Sequence, residues 1–117
     1  MGKRSNFERI ERDFYPTPIS ALAPLVPHLP IAFDYIEPCA GDGRLIEPLK
    51  TLTNGVCIKA TDIEPQLDKG ISQEDALTIK WDAYKSNTYC ITNPPWNRDI
   101  LHPLIENFMA SGKTWLL

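Results

Sequence analysis

Apolar positions along this chain follow two rhythms, short continuous runs and runs spaced at three and four residues. Ile19, Leu22, Leu25 and Val26 recur at helical spacing, which predicts a helix from Ile19 to Leu29. Pro18 suits its first turn, Pro24 kinks it, and Pro27 with Pro30 ends it. Ile31 to Ile36 reads as a buried strand stopping at Glu37-Pro38, and the loop from Cys39 to Gly43 leads into a helix starting near Arg44. Asn54-Gly55 is a turn signal, and Val56 to Ala60 is the next strand. Ala76 to Trp81 is a candidate third strand, and Tyr89 to Thr92 is a fourth. From Asp99 to Met109, Ile100, Leu104, Ile105 and Phe108 mark one face of an amphipathic helix. Thr114 to Leu117 reads as the start of a fifth strand.

Strands alternating with helices predict an α/β fold with a mainly parallel sheet. Ligands of such sheets bind in the crevice beyond the carboxyl ends of the strands. Glu37, Asp62, Asp75 and Asn93 all fall at or just past a predicted strand end, so they should converge on one edge. A length of 117 residues fits one domain with one core, and residues 1–12 read as a polar tail with Phe7 and Ile10 as its apolar anchors.

Hydrophobic residues at 43% and charged residues at 23% are ordinary for a soluble globular domain. No apolar run is long enough to span a bilayer, and none follows the charged N-terminal residues, so the expectation is a cytoplasmic protein without a membrane partner. The net charge of −3 argues mildly against nucleic-acid binding, while Lys3, Arg4, Arg9 and Arg12 gather basic charge near the N-terminus. Cys39, Cys57 and Cys90 lie far apart with no histidine nearby, a pattern of reduced thiols and not of a disulfide framework or a metal site.

Three segments carry candidate chemistry. In Glu37-Pro38-Cys39-Ala40-Gly41-Asp42-Gly43, a strand passes through a glycine loop into a helix, where the backbone can approach a ligand closely. The loop lacks both the dinucleotide fingerprint and the lysine of a phosphate loop. Glu37 and Asp42 would repel phosphate and favour a cationic ligand, such as the sulfonium and amino groups of S-adenosyl-L-methionine. Asp62 and Glu64 follow the next strand, where a carboxylate can accept from both hydroxyls of a ribose; an exposed, solvated acidic pair is the plain alternative.

Asn93-Pro94-Pro95-Trp96 is the sharpest signal. The prolines stiffen the turn and push Asn93 out of the helical region. The Asn93 carboxamide oxygen and the Pro94 carbonyl can then accept both hydrogens of one exocyclic amino group, driving lone-pair density toward a methyl donor. Trp96 offers a flat face for stacking an extracted base. A rigid strand-to-helix turn with a packed tryptophan is the bland alternative.

The order Tyr15-Pro16-Thr17-Pro18, Glu37 to Gly43, Asp62-Ile63-Glu64-Pro65 and Asn93-Pro94-Pro95-Trp96 resembles the DNA amino-methyltransferases, particularly phage-type adenine-N6 enzymes whose N-terminal cofactor segment precedes the glycine motif. The resemblance runs from about Asp13 to Leu117. It implies a Rossmann-like fold, S-adenosyl-L-methionine as cofactor and a nucleic acid, above all DNA, as partner. By position, Tyr15 and Thr17 would hold the methionine end of the cofactor. Glu37 and the loop through Cys39, Ala40, Gly41, Asp42 and Gly43 would line methionine and ribose, and Asp62 beside Ile63 would take the ribose hydroxyls. Asp75, with Glu74 as the alternative, matches the carboxylate on the cofactor adenine amino group. Asn93, Pro94, Pro95 and Trp96 match the catalytic segment.

RNA, cytosine N4 and a protein glutamine amide stay open as other targets of the same chemistry. The family sheet has seven strands, whereas this chain stops on entering its fifth, so the expectation is a sheet incomplete at its C-terminal end. Such an open edge could take a protein partner or a second copy of the chain. A non-catalytic, cofactor-binding remnant is the reading from a different functional class.

Overall fold

The computed structural model describes residues 19–65 and 70–117. Tyr15 and Thr17 lie outside the described residues. Among those described, the strands are β1 (Phe33–Glu37), β2 (Gly55–Asp62), β3 (Ser72–Gln73), β4 (Tyr89–Thr92) and β5 (Lys113–Leu116). The α-helices are α1 (Ile19–Leu22), α2 (Ile46–Leu52) and α3 (Arg98–Phe108). The strands form a sheet in the order β3-β2-β1-β4-β5, and every pairing is parallel. The expected α/β class with a parallel sheet is therefore present.

The sheet separates two apolar layers because strand side chains alternate between faces. Phe33, Tyr35 and Ile91 pack with Leu22, Leu25, Leu45 and Leu49 on one face. Ile36 and Cys90 pack with Ala76, Ile79, Trp81, Leu104 and Phe108 on the other. Adjacent residues on one strand thus serve opposite layers, which ties α2 and α3 to opposite sides of the sheet.

Two expected elements differ. The helix expected from Ile19 to Leu29 is one α-turn, Ile19–Leu22, followed by a tighter 3-10 segment, Ala23–His28. Pro24 and Pro27 have no N–H to give and their rings crowd the preceding turn, and two of them three residues apart disfavour a regular α-helix over so short a stretch. The strand expected from Ala76 to Trp81 is absent; that stretch holds 3-10 turns at Ala76–Thr78 and Trp81–Ala83, and the third strand is the earlier Ser72–Gln73.

The reason lies in where the backbone hydrogen bonds go. Asp75 Oδ1 accepts from the Leu77 N–H at 2.9 Å, and Thr78 and Ile79 N–H turn back to Asp75 and Ala76 carbonyls. The carbonyls of Leu77 and Ile79 both accept from Asn107 Nδ2 of α3 at 3.3 Å. Asn107 Oδ1 in turn accepts from Trp81 Nε1 at 2.8 Å. Asn107 takes the place of a neighbouring strand, satisfying polar groups that would otherwise need a ladder.

The other boundaries follow the pattern closely. β1 ends on Glu37, β4 covers Tyr89–Thr92, and α3 begins one residue before its expected start, with Asn97 capping the Asp99 N–H at 2.9 Å. β5 pairs with β4 along its whole length, from Tyr89↔Lys113 to Thr92↔Leu116. No helix among the described residues is long and apolar enough to cross a membrane.

A candidate site at the carboxyl edge of the sheet

The strand order reverses direction between β1 and β4. The chain leaves β1 toward β2 on one side and returns to β4 on the other. Parallel sheets open a crevice at that point, above the carboxyl ends of the two strands. Glu37 ends β1, and Asn93 directly follows β4.

Glu37 is the most constrained group there. It is 1% exposed, and Oε2 accepts from Thr92 Oγ1 at 2.8 Å. Oε1 has no partner among the described residues. Burial pushes its carboxyl up to about 8, with the charge of Asp62 adding a little, while the Thr92 hydroxyl and the Asn93 main-chain N–H act the other way. A carboxylate buried with an orphan oxygen is costly in isolation and is stabilised by a cation placed against it.

The glycine loop follows. Gly41 and Gly43 have φ of 60° and 84°, left-handed values that side chains with a Cβ rarely adopt. Ala40 N–H donates to the Thr61 carbonyl at 2.9 Å and Gly41 N–H to Asp62 Oδ2 at 2.8 Å, so the loop is pinned to the end of β2. Asp62 Oδ1 also accepts from Glu64 N–H at 2.8 Å. Asp62 therefore braces the loop, and any ribose hydroxyl would share its oxygens with two main-chain donors. Ile63 beside it is exposed, and its carbonyl accepts from Gln73 Nε2 at 3.1 Å.

Asp42 pairs within its own turn. Its carboxylate pairs with Arg44 Nε and accepts from Arg44 N–H at 3.1 Å. These contacts tie Asp42 to the turn into α2. Glu37 is the buried acidic group of this segment, with one oxygen that has no partner among the described residues.

Cys39 lies between β1 and the glycine loop. Its thiol is pushed up to about 12 by burial, then by the charges of Glu37, Asp62 and Asp75. Three acidic residues from the ends of three strands thus act on one small side chain. Of the two candidates after β3, Asp75 accepts from the Leu77 N–H at 2.9 Å, whereas Glu74 pairs with Lys59 at 3.1 Å.

The Asn93-Pro94-Pro95-Trp96 turn closes the other side of the crevice. Pro94 is fully buried and Trp96 is 53% exposed. Trp96 Nε1 donates to Asn93 Oδ1 at 3.2 Å. The expected stacking face is therefore on the surface, with its N–H turned back onto the expected amino-group acceptor.

Thr92 escaped the sequence reading. Its one signal is a hydroxyl at the last position of an otherwise apolar strand, which is where a buried acid on the neighbouring strand needs a donor. No group of three or more histidine, cysteine or acidic side chains among the described residues could hold a metal ion. No family model, curated protein or solved structure matches this chain.

Proposed function

We propose that this chain is an S-adenosyl-L-methionine-dependent methyltransferase acting on an exocyclic amino group of a nucleic-acid base, with adenine N6 in DNA as the leading target. The observation that carries the reading is the meeting of two motifs at one reversal of the sheet. The Asn93 main-chain N–H and the Thr92 hydroxyl both act on the Glu37 carboxyl, which joins the amino-acceptor turn to the acidic glycine loop.

The residues fit this cofactor on their own chemistry. Glu37 carries a buried oxygen without a partner among the described residues, which an ammonium or sulfonium charge placed against it would satisfy. Gly41 and Gly43 hold conformations that keep the loop free of Cβ atoms beside a ligand. Asp62 and Asp75 extend the acceptors along the edge toward a ribose and an adenine amino group. When bound, S-adenosyl-L-methionine supplies an electrophilic methyl group on a positively charged sulfur.

The protein's own part is acceptor placement. Asn93 Oδ1 and the Pro94 carbonyl take the two hydrogens of the target amino group, which turns its nitrogen lone pair toward the methyl carbon. The nitrogen forms its bond to carbon as the carbon–sulfur bond breaks, and the amino group gives up one proton to water. No strong base is required, because the proton leaves only after the nitrogen has become cationic. Trp96, on the surface at the end of the turn, stacks on a base taken out of its helix.

Incubation with methyl-labelled S-adenosyl-L-methionine and mixed-sequence DNA or RNA, followed by nucleoside mass spectrometry, tests the proposal. The expected product is N6-methyladenine from DNA. N4-methylcytosine, or label in RNA alone, would change the target and keep the chemistry. Cofactor binding with no transfer to any base would overturn it.

A further inference from the structure

We propose that the Trp96 indole N–H fixes the orientation of the Asn93 carboxamide, so that Trp96 is a positioning residue as well as a stacking face. The proposal rests on the amino-group methylation reading and names what makes an asparagine workable at its centre.

A carboxamide has two ends, an acceptor oxygen and a donor NH2, which differ little in size. If Asn93 presented its NH2 to the target, donor would face donor and the amino group would be repelled. An indole N–H is a donor with no acceptor capacity. Its contact with Asn93 Oδ1 at 3.2 Å is therefore compatible with one amide orientation alone. A carboxamide oxygen has two lone pairs, so accepting from the indole does not by itself bar it from a target amino group, and the Pro94 carbonyl supplies the other acceptor.

The geometry suits a local device. Asn93 and Trp96 are three residues apart, and the intervening Pro94 and Pro95 restrict the backbone that separates them. Phenylalanine and tyrosine offer the same flat face, but neither places an N–H at this point. A carboxylate in place of Asn93 would need no orienting group, because both its ends are acceptors. Tryptophan and asparagine therefore work as a pair. The contact lies in the open, where water competes, so its effect is a modest bias of orientation.

The test uses the full chain and Trp96→Phe, which keeps a stacking face and removes the donor. The expected result is kcat lower by about fivefold, the worth of one ordinary hydrogen bond, with KM for the nucleic acid nearly unchanged. The Trp96→Phe, Asn93→Asp double variant should recover to the rate of Asn93→Asp alone. An unchanged or faster Trp96→Phe, or a double variant as impaired as the product of the two single effects, would overturn the proposal.

A second readout does not depend on activity. In the 15N-labelled protein, Asn93→Ala should shift the Trp96 indole N–H resonance and speed its exchange with water, leaving those of Trp81 and Trp115 in place. Trp96→Phe should likewise move the Asn93 side-chain amide pair. Resonances that stay put while wild type transfers methyl groups would overturn the positioning role and leave the methylation reading intact. A wild type that methylates no base overturns both.

Discussion

Thr92 Oγ1 donates a 2.8 Å hydrogen bond to Glu37 Oε2, joining the last residue of β4 to the last residue of β1. Both residues are buried, and the other oxygen of Glu37 finds no partner among the described residues. The bond sits where the strand order reverses, between β1 and β4.

Glu37 should make stability fall as pH rises. Its carboxyl ordinarily titrates at 4.5 and is pushed up to about 8 by burial. Between those values the folded chain keeps a proton that the unfolded chain has lost. The stability is therefore fully present below about 4.5 and lost as pH rises toward about 8, by an amount on the order of several kcal/mol. Glu37→Gln, which stays neutral, should flatten this slope, giving a higher Tm than wild type at pH 8 and a similar one at pH 4.5 in thermal melts. The same group predicts that S-adenosyl-L-methionine binds more tightly as pH rises toward 8, with proton release measurable by calorimetry in buffers of different ionisation enthalpy. Glu37→Gln should lose both the affinity and the proton release.

Asp62 should matter through the loop as well as through the ligand. Its Oδ2 holds the Gly41 N–H and its Oδ1 the Glu64 N–H, each at 2.8 Å. Asp62→Ala leaves both donors without this partner and frees the loop, at a cost of about 1–3 kcal/mol. Asp62→Asn keeps one acceptor and turns an NH2 toward a main-chain N–H, so it should rescue only part of that loss. Denaturant unfolding of the three proteins without cofactor checks the order; equal stability of all three would show that the brace contributes nothing.

Much of this was legible because it is local. The Asn-Pro-Pro turn restricts its own backbone, glycines at 41 and 43 announce positive φ, and the apolar runs ending at Glu37 and Thr92 mark strand ends. What was not legible depends on partners distant in sequence. Ala76, Ile79 and Trp81 are buried apolar residues in a short run bounded by polar positions, yet Asn107, in a helix that reads as amphipathic in its own right, accepts and donates what a ladder would have supplied. The Asp42 pairing was hidden for the opposite reason. Its partner, Arg44, is two residues away, and the spacing does not reveal whether the carboxylate turns to that neighbour or to a ligand.

Asn93→Ala should separate chemistry from cofactor binding. The side chain proposed to accept the target amino group is lost, while the Asn93 main-chain N–H that acts on Glu37 is kept. Methyl transfer should fall by at least 100-fold, a loss of about 3 kcal/mol or more in the transition state. Affinity for S-adenosyl-L-methionine should stay within a few-fold. Single-turnover rates and calorimetry on one preparation measure the two effects, and parallel loss of both would make Asn93 a structural residue.

Asn107 should prove a stability residue with a functional consequence. Asn107→Ala removes the acceptor of the buried Trp81 N–H and both donors to the Leu77 and Ile79 carbonyls. One unsatisfied buried donor costs about 1–3 kcal/mol, and the exposed carbonyl can turn to water. In a Trp81→Phe background the same substitution should cost less, because the donor it orphans is already gone; the difference is the coupling energy of the pair. The segment that Asn107 holds begins at Asp75, which caps its first turn. Loosening it should therefore weaken S-adenosyl-L-methionine binding by a few-fold, and adenine-free analogues of the cofactor should be affected less than the cofactor itself. Equal weakening of both would remove Asp75 from the adenine end of the site while leaving the Asn107 brace as a matter of folding alone.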